Sequence, residues 1–289
     1  MVTTYFSDRE GAPRPRVLEE FSATAWGGIT ALFQSLVSTG AFGIDYPDAC
    51  RDGLGAIGTN EYTLGLAVCA ELPDLLWSLD SGSVPPTLVV LDLIEFSFQH
   101  VAEPIQGGYH EFFGHYHLTF DRSKGHGSFR DRANQILSRN GLAYKLQPDG
   151  RITRLAPPML AEALASATFR TADPELNRIL ESARSKFLAP DLELRREALE
   201  KLWDAWERLK TVLHPDDKKQ SAGALLDRVA RTDDLRGVLE TEARELTRIG
   251  NEFQIRHSEV NKTPIHCSAH VDYLFHRLFA MIQLLLGAL

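Results

Sequence analysis

Cysteine is scarce: the 289 residues hold three, Cys50, Cys69 and Cys267, and no CxxC pair. That sparse, odd set argues against a disulfide framework and against a structural zinc site, and it fits a reducing cytoplasm. Missing too are a Walker motif, a GxSxG elbow, tandem repeats and low-complexity segments. The basic residues near the N-terminus are not followed by an apolar core, which argues against a signal peptide. The most lipid-like stretch, His270 to Leu289, carries Asp272, His276, Arg277 and Gln283, all costly in hydrocarbon. It reads as a buried amphipathic helix, and no membrane partner is expected. Nor is there a basic excess. Residues 1–173 carry 20 acidic and 13 basic groups, a net of −7, and residues 174–289 carry 19 and 18, a net of −1. Nucleic-acid binding would therefore need a local patch.

What is present is enough apolar material, 44%, for two cores, in a chain long enough for two domains. The first half mixes signals. Leu18 to Val37 reads as a helix through Trp26, Ile29, Phe33 and Leu36, and the Gly-, Asp- and Pro-rich stretch from Gly40 to Asn60 reads as a loop. The apolar run from Thr87 to Phe96 fits a buried strand or a buried helix equally well. A helix from Phe129 to Arg139 should stop at Asn140-Gly141. Alternating runs on either side of Gln147-Pro-Asp-Gly150 then predict a β-hairpin. A helix followed by a hairpin is either a winged-helix fragment or a packed α+β unit.

Asp173-Pro174-Glu175 combines an N-cap, a first-turn proline and a first-turn acid, so it is a strong helix start and a natural place for a domain boundary. Beyond it, four apolar stripes at helical spacing predict an antiparallel helical bundle, with a shorter helix near Leu225. They begin at Leu176, Ala198, Leu235 and Val271. The fold class is thus an α+β module over 1–170 followed by an all-α bundle over 171–289.

Two places offer chemistry. Extending the third stripe from Ile249 and Phe253 reaches Arg256 and His257, a guanidinium and an imidazole where the period wants apolar groups. Such a pair can hold a phosphate and move its proton, or it can cap a helix C-terminus against the dipole. In the first half, His110, His115 and His117 look like a metal cluster, but His110-Glu111 lacks the second histidine of HExxH at the required spacing. His115 and His117 would share one face of a strand. Aromatic packing or a regulatory ligand pocket is the competing reading, and no metal ligand is assigned. Gly53 to Gly58 spells GxGxxG, but no strand-forming run precedes it.

Residues 174–289 resemble the HEPN superfamily of four-to-five-helix domains, many of them metal-independent ribonucleases. The family motif is Arg followed by Asn, His or Asp, with a second His after four to six intervening residues. Arg256-His257 matches its first two positions, and the next histidine, His266, follows after eight intervening residues. The whole chain resembles AbiJ-type abortive-infection proteins, in which a sensing or regulatory N-terminal module precedes a HEPN effector. That likeness rests on Tyr5–Glu10, Trp203–Thr211, Ile249–Glu259 and Val271–Phe279. The resemblance implies Arg256, His257 and His266 as catalytic residues, with Glu207, Lys210, Asn251 and Glu259 supporting them or binding substrate. Glu207 and Lys210, three apart on one helical face, read otherwise as a surface salt bridge. The resemblance further implies an RNA substrate, a homodimer, no cofactor and a cytoplasmic setting. The alternative it leaves is a non-catalytic dimerisation, RNA-binding or nucleotide-binding bundle.

Overall fold

The computed structural model describes residues 5, 6, 9, 11, 14–75, 83–253, 255 and 263–289. Backbone contacts divide the chain into two units, Met1–Leu155 and Ala156–Leu289.

The first unit opens on helix α1 (Ala23–Ser38), whose N-cap Ser22 accepts from the backbone of Ala25. The helix thus starts later than the apolar spacing predicts, because the Ser22 cap sets its origin. Leu18 instead pairs with the Gly141–Ala143 segment. The stretch read as a loop holds two short strands, β1 (Pro47–Ala49) and β2 (Ala56–Thr59). Helix α2 (Glu61–Glu71) follows. The ambiguous apolar run forms helix α3 (Thr87–His100), opened by Pro86 at its N-cap. Then come β3 (Glu103–His110), β4 (His115–Asp121), α4 (Arg122–Arg139), and the predicted hairpin β5 (Tyr144–Leu146) and β6 (Ile152–Arg154).

Strands β1 to β4 make an antiparallel sheet in the order β1-β2-β4-β3. Trp26, Phe33, Phe42, Leu64, Leu93 and Leu137 lie in one core, which the helices of this unit and the β5–β6 hairpin build. Gly53 takes φ +76° in the β1–β2 turn, and Gly58 lies within β2, so the GxGxxG spelling runs into a strand rather than a helix. Gly125 in α4 permits a close approach. A Cβ there would stand 2.5 Å from Ala102 Cα, so only glycine lets this helix lie against the start of β3.

The second unit is all helix among its described residues: α5 (Pro158–Ser166), α6 (Pro174–Phe187), α7 (Leu192–Leu209), α8 (Lys218–Val229), α9 (Asp233–Glu252) and α10 (Ser268–Leu286). Leu160 and Leu164 of α5 pack into the same core as Trp203, Trp206, Phe275 and Phe279. For that reason the division falls ahead of the Asp173-Pro174 cap. Among the described residues, no helix is long and apolar enough to cross a membrane. The α9 stripe is only half used: Leu246 and Ile249 are buried, while Leu235 and Val238 are exposed.

Asp173 performs as its sequence context suggests and does more. Its carboxylate accepts from the backbone of Glu175 (3.1 Å) and Leu176 (3.2 Å) and also takes both Nε and Nη2 of Arg208 on α7. The Arg208 bonds hold this carboxyl below the usual range. Asp173→Ala is expected to cost about 1–2 kcal/mol by urea denaturation, with Asp173→Asn costing less because it can still cap. Equal losses would assign the effect to the ion pair rather than the cap.

Candidate functional site

Cross-strand pairing places His110, the last residue of β3, opposite His115, the first of β4. His117 lies two residues on and so shares the face of His115. The β1–β2 turn supplies the rest. Cys50 follows β1, its N–H bonded to Gly55 O and its carbonyl accepting from Gly53 N–H, and Asp52 closes the turn by accepting from Leu54 N–H at 2.9 Å. Pairing of Ala56 with Leu118 then seats Gly55 against His117, where a Cβ would stand 3.6 Å from the ring.

The result is a compact donor cluster. Cys50 Sγ stands 3.1 Å from His115 Nε2 and 3.6 Å from His110 Nδ1. Cys50, His110, His115 and His117 each offer one ligand atom, and the four lie within 4.8 Å of one another. Asp52 Oδ2 is 2.9 Å from His110 Nδ1 and 3.8 Å from His117 Nε2. Phe113 stacks parallel to His115 and meets His110 edge-on. Cys50 is only 3% exposed, and burial together with the Asp52 carboxylate pushes its thiol above the ordinary range. The thiol's hydrogen bond in turn holds the Asp52 carboxyl low. Sequence pattern alone groups the three histidines and leaves the cysteines apart from them. A buried cysteine before an Asp-Gly turn, in the same unit as His-x-His, was the signal that would have joined them.

The residues assigned from the Arg-His motif fall differently. Arg256, His257 and Glu259 lie outside the described residues. Helix α9 does not carry its period to them: it ends at Glu252, and Phe253 turns extended as its C-cap. Asn251 is itself exposed in the last turn of α9, and His266 is exposed just before α10.

Glu207 and Lys210 meet as the spacing requires but not at the surface. Lys210 Nζ, its side chain 9% exposed, donates to Glu207 Oε1 at 2.7 Å and to Thr247 Oγ1 of α9 at 3.1 Å, and it sits over the Trp206 ring. Trp206 Nε1 also donates to Thr247 Oγ1, and Lys218 pairs with the second oxygen of Glu207. Burial raises the Glu207 carboxyl, but the two lysines outweigh it, leaving the net below the usual range. The surface-bridge reading is therefore corrected: the second unit holds a partly buried ionic network that spans α7, α8 and α9.

No curated protein and no solved structure matches the chain significantly. The family described as AbiJ N-terminal domain 4 matches residues 4–170, an interval that contains the whole four-stranded sheet and the Cys-His cluster. Since that interval takes in more than half of the chain, the protein belongs to the AbiJ N-terminal domain 4 family.

Proposed function

We propose that this abortive-infection-related protein is a two-part effector, in which the N-terminal unit restrains or triggers a HEPN-type helical unit that cleaves RNA. The observation that carries the reading is the pairing of an AbiJ N-terminal domain with a separate helical unit whose buried Glu207–Lys210 pair is bonded to Thr247 of α9. The chain reaches Arg256-His257 four residues after that helix ends. In this reading the RNA 2′-hydroxyl loses its proton and attacks the adjacent phosphate. The bond to the 5′-oxygen of the next nucleotide breaks, and that oxygen leaves with a proton as a 5′-hydroxyl, giving a 2′,3′-cyclic phosphate. Arg256 stabilises the charge that develops on the phosphorane, and His257 or His266 moves the protons. Glu207, Lys210, Asn251 and Glu259 position these groups or the substrate. No cofactor enters this chemistry, and DNA resists because it lacks the nucleophile. A second copy would bring its own Arg-His element to the same RNA, and the setting is cytoplasmic.

Purified full-length protein and an Arg256→Ala/His257→Ala variant, incubated with total RNA without added divalent ions, test it. The expected result is fragments with 2′,3′-cyclic phosphate ends from the wild type and none from the variant. Equal cleavage by both would remove the catalytic assignment. Binding of RNA or a nucleotide by a dimer without turnover would favour the second reading, a non-catalytic bundle, which the near-neutral charge of residues 174–289 supports.

A further inference from the structure

Cys50, His110, His115 and His117 converge from two separate hairpins, and their donor chemistry is selective. Imidazole and thiolate together suit zinc, whereas magnesium, calcium and manganese prefer carboxylate, carbonyl and water. A tetrahedral zinc ion, with Zn–S about 2.3 Å and Zn–N about 2.0–2.1 Å, places a sulfur and a nitrogen about 3.6 Å apart. The Cys50 sulfur lies 3.1 Å from His115 Nε2 and 3.6 Å from His110 Nδ1, the first 0.5 Å inside that value and the second at it. All four ligand atoms fall within 4.8 Å, so closing the set takes side-chain adjustment without moving strands.

Two further features point to a cation rather than to ring packing alone. His117 Nε2 is a buried polar atom with no hydrogen-bond partner, although it lies 3.8 Å from the Asp52 carboxylate. A buried imidazole nitrogen left unbonded is costly unless something else meets it. Asp52 supplies the second feature. Its carboxylate and a Cys50 thiolate together carry the two negative charges that balance a divalent ion.

We propose that Cys50, His110, His115 and His117 bind one Zn²⁺ per chain in a closed tetrahedral site, with Asp52 as the adjacent carboxylate. Four protein donors leave no position for a reactive water, so the site is structural or sensory rather than catalytic. Its mechanical effect is to fasten the β1–β2 turn to the β3–β4 hairpin, linking residues sixty or more positions apart in the chain. The Cys50 thiol gives up its proton to solvent on binding.

The test uses tag-free full-length protein, stripped with a chelator, reloaded with Zn²⁺ and desalted before elemental analysis. In parallel, the stripped protein is titrated with Co²⁺ and followed by absorption. The expected results are one zinc per chain, and an intense visible cobalt spectrum of the tetrahedral kind with a thiolate-to-cobalt charge-transfer band. Cys50→Ser should lose that band, and His117→Ala should weaken binding by roughly 100-fold or more, beyond the 10–100-fold typical of outer-sphere changes. Far-UV circular dichroism checks that the variants fold. If Cys50→Ser does not, the wild-type stoichiometry and cobalt spectrum decide alone. Substoichiometric zinc, a weak octahedral cobalt spectrum, or a charge-transfer band surviving in folded Cys50→Ser would each overturn the site.

Discussion

Replacing Gly250 with alanine is expected to destabilise the helical unit by about 2–4 kcal/mol, although glycine-to-alanine in a helix interior normally stabilises by about 1 kcal/mol. The sign reverses because of what lies opposite. A Cβ at Gly250 would fall 2.1 Å from Trp203 Nε1 and 2.2 Å from its Cδ1. Trp203 is fully buried and cannot swing away, and its indole N–H donates to Leu246 O at 3.1 Å. Making room therefore overpacks the core, at about 1–3 kcal/mol, and strains or breaks a buried hydrogen bond worth a further 1–3 kcal/mol if left unmade. Gly237 on the same helix provides the internal control, since a Cβ there meets nothing within 4 Å. Chemical denaturation should show Gly237→Ala more stable than wild type and Gly250→Ala less. Shifts of the same sign would contradict the packing of α7 on α9.

The second large effect lies in the Glu207–Lys210–Lys218 network. Glu207→Gln removes the carboxylate standing 2.7 Å from a buried ammonium, and deleting one partner of such a pair costs about 3–5 kcal/mol. Lys210→Met should cost less, because Glu207 keeps Lys218, which is half exposed and readily hydrated. The double variant should recover part of the loss, since it leaves no buried charge without its counterion. Acid titration adds a sign. The folded Glu207 carboxyl lies below the ordinary glutamate range. Its contribution is therefore complete above the unfolded value and is lost as pH falls from there through the lowered folded value. Glu207→Gln should flatten that acid limb of the wild-type stability curve. A limb identical in both proteins would mean that the network does not contribute at neutral pH.

Much of the fold was legible where a local signal decided it. The Pro-Asp-Gly turn fixed the β5–β6 hairpin, Asp173-Pro174 started α6, and the apolar stripes became α6, α7, α9 and α10. Elements set by tertiary partners were not legible. Strands β1 and β2 are three and four residues long, lie in a Gly- and Asp-rich stretch, and exist because they pair with each other and β2 pairs with β4. The Thr87–Phe96 run could not be told from a strand by pattern, since its apolar residues are nearly continuous and seven of the fourteen residues of the helix it forms are buried. No proline ends α9 and its glycine, Gly250, sits inside the last turn rather than after it, so the period reads straight past Phe253. Of the cluster, the three histidines were visible as a group, while Cys50 reaches them only through the sheet.

The segment from Arg16 to Glu19 is stitched to the far end of the first unit. Arg16 donates to the carbonyls of Leu142 and Tyr144, Leu18 exchanges backbone bonds with Gly141 and Ala143, and Glu19 receives Tyr144 and Arg154. During synthesis these early residues wait for partners made about 125 positions later. Closure across so long a separation is slow, whereas helices joined by short connections assemble quickly. The first of the two units thus completes its fold only once the hairpin has emerged, so a nascent chain halted before that point would leave the Arg16–Glu19 backbone and side chains without these partners and open to chaperones.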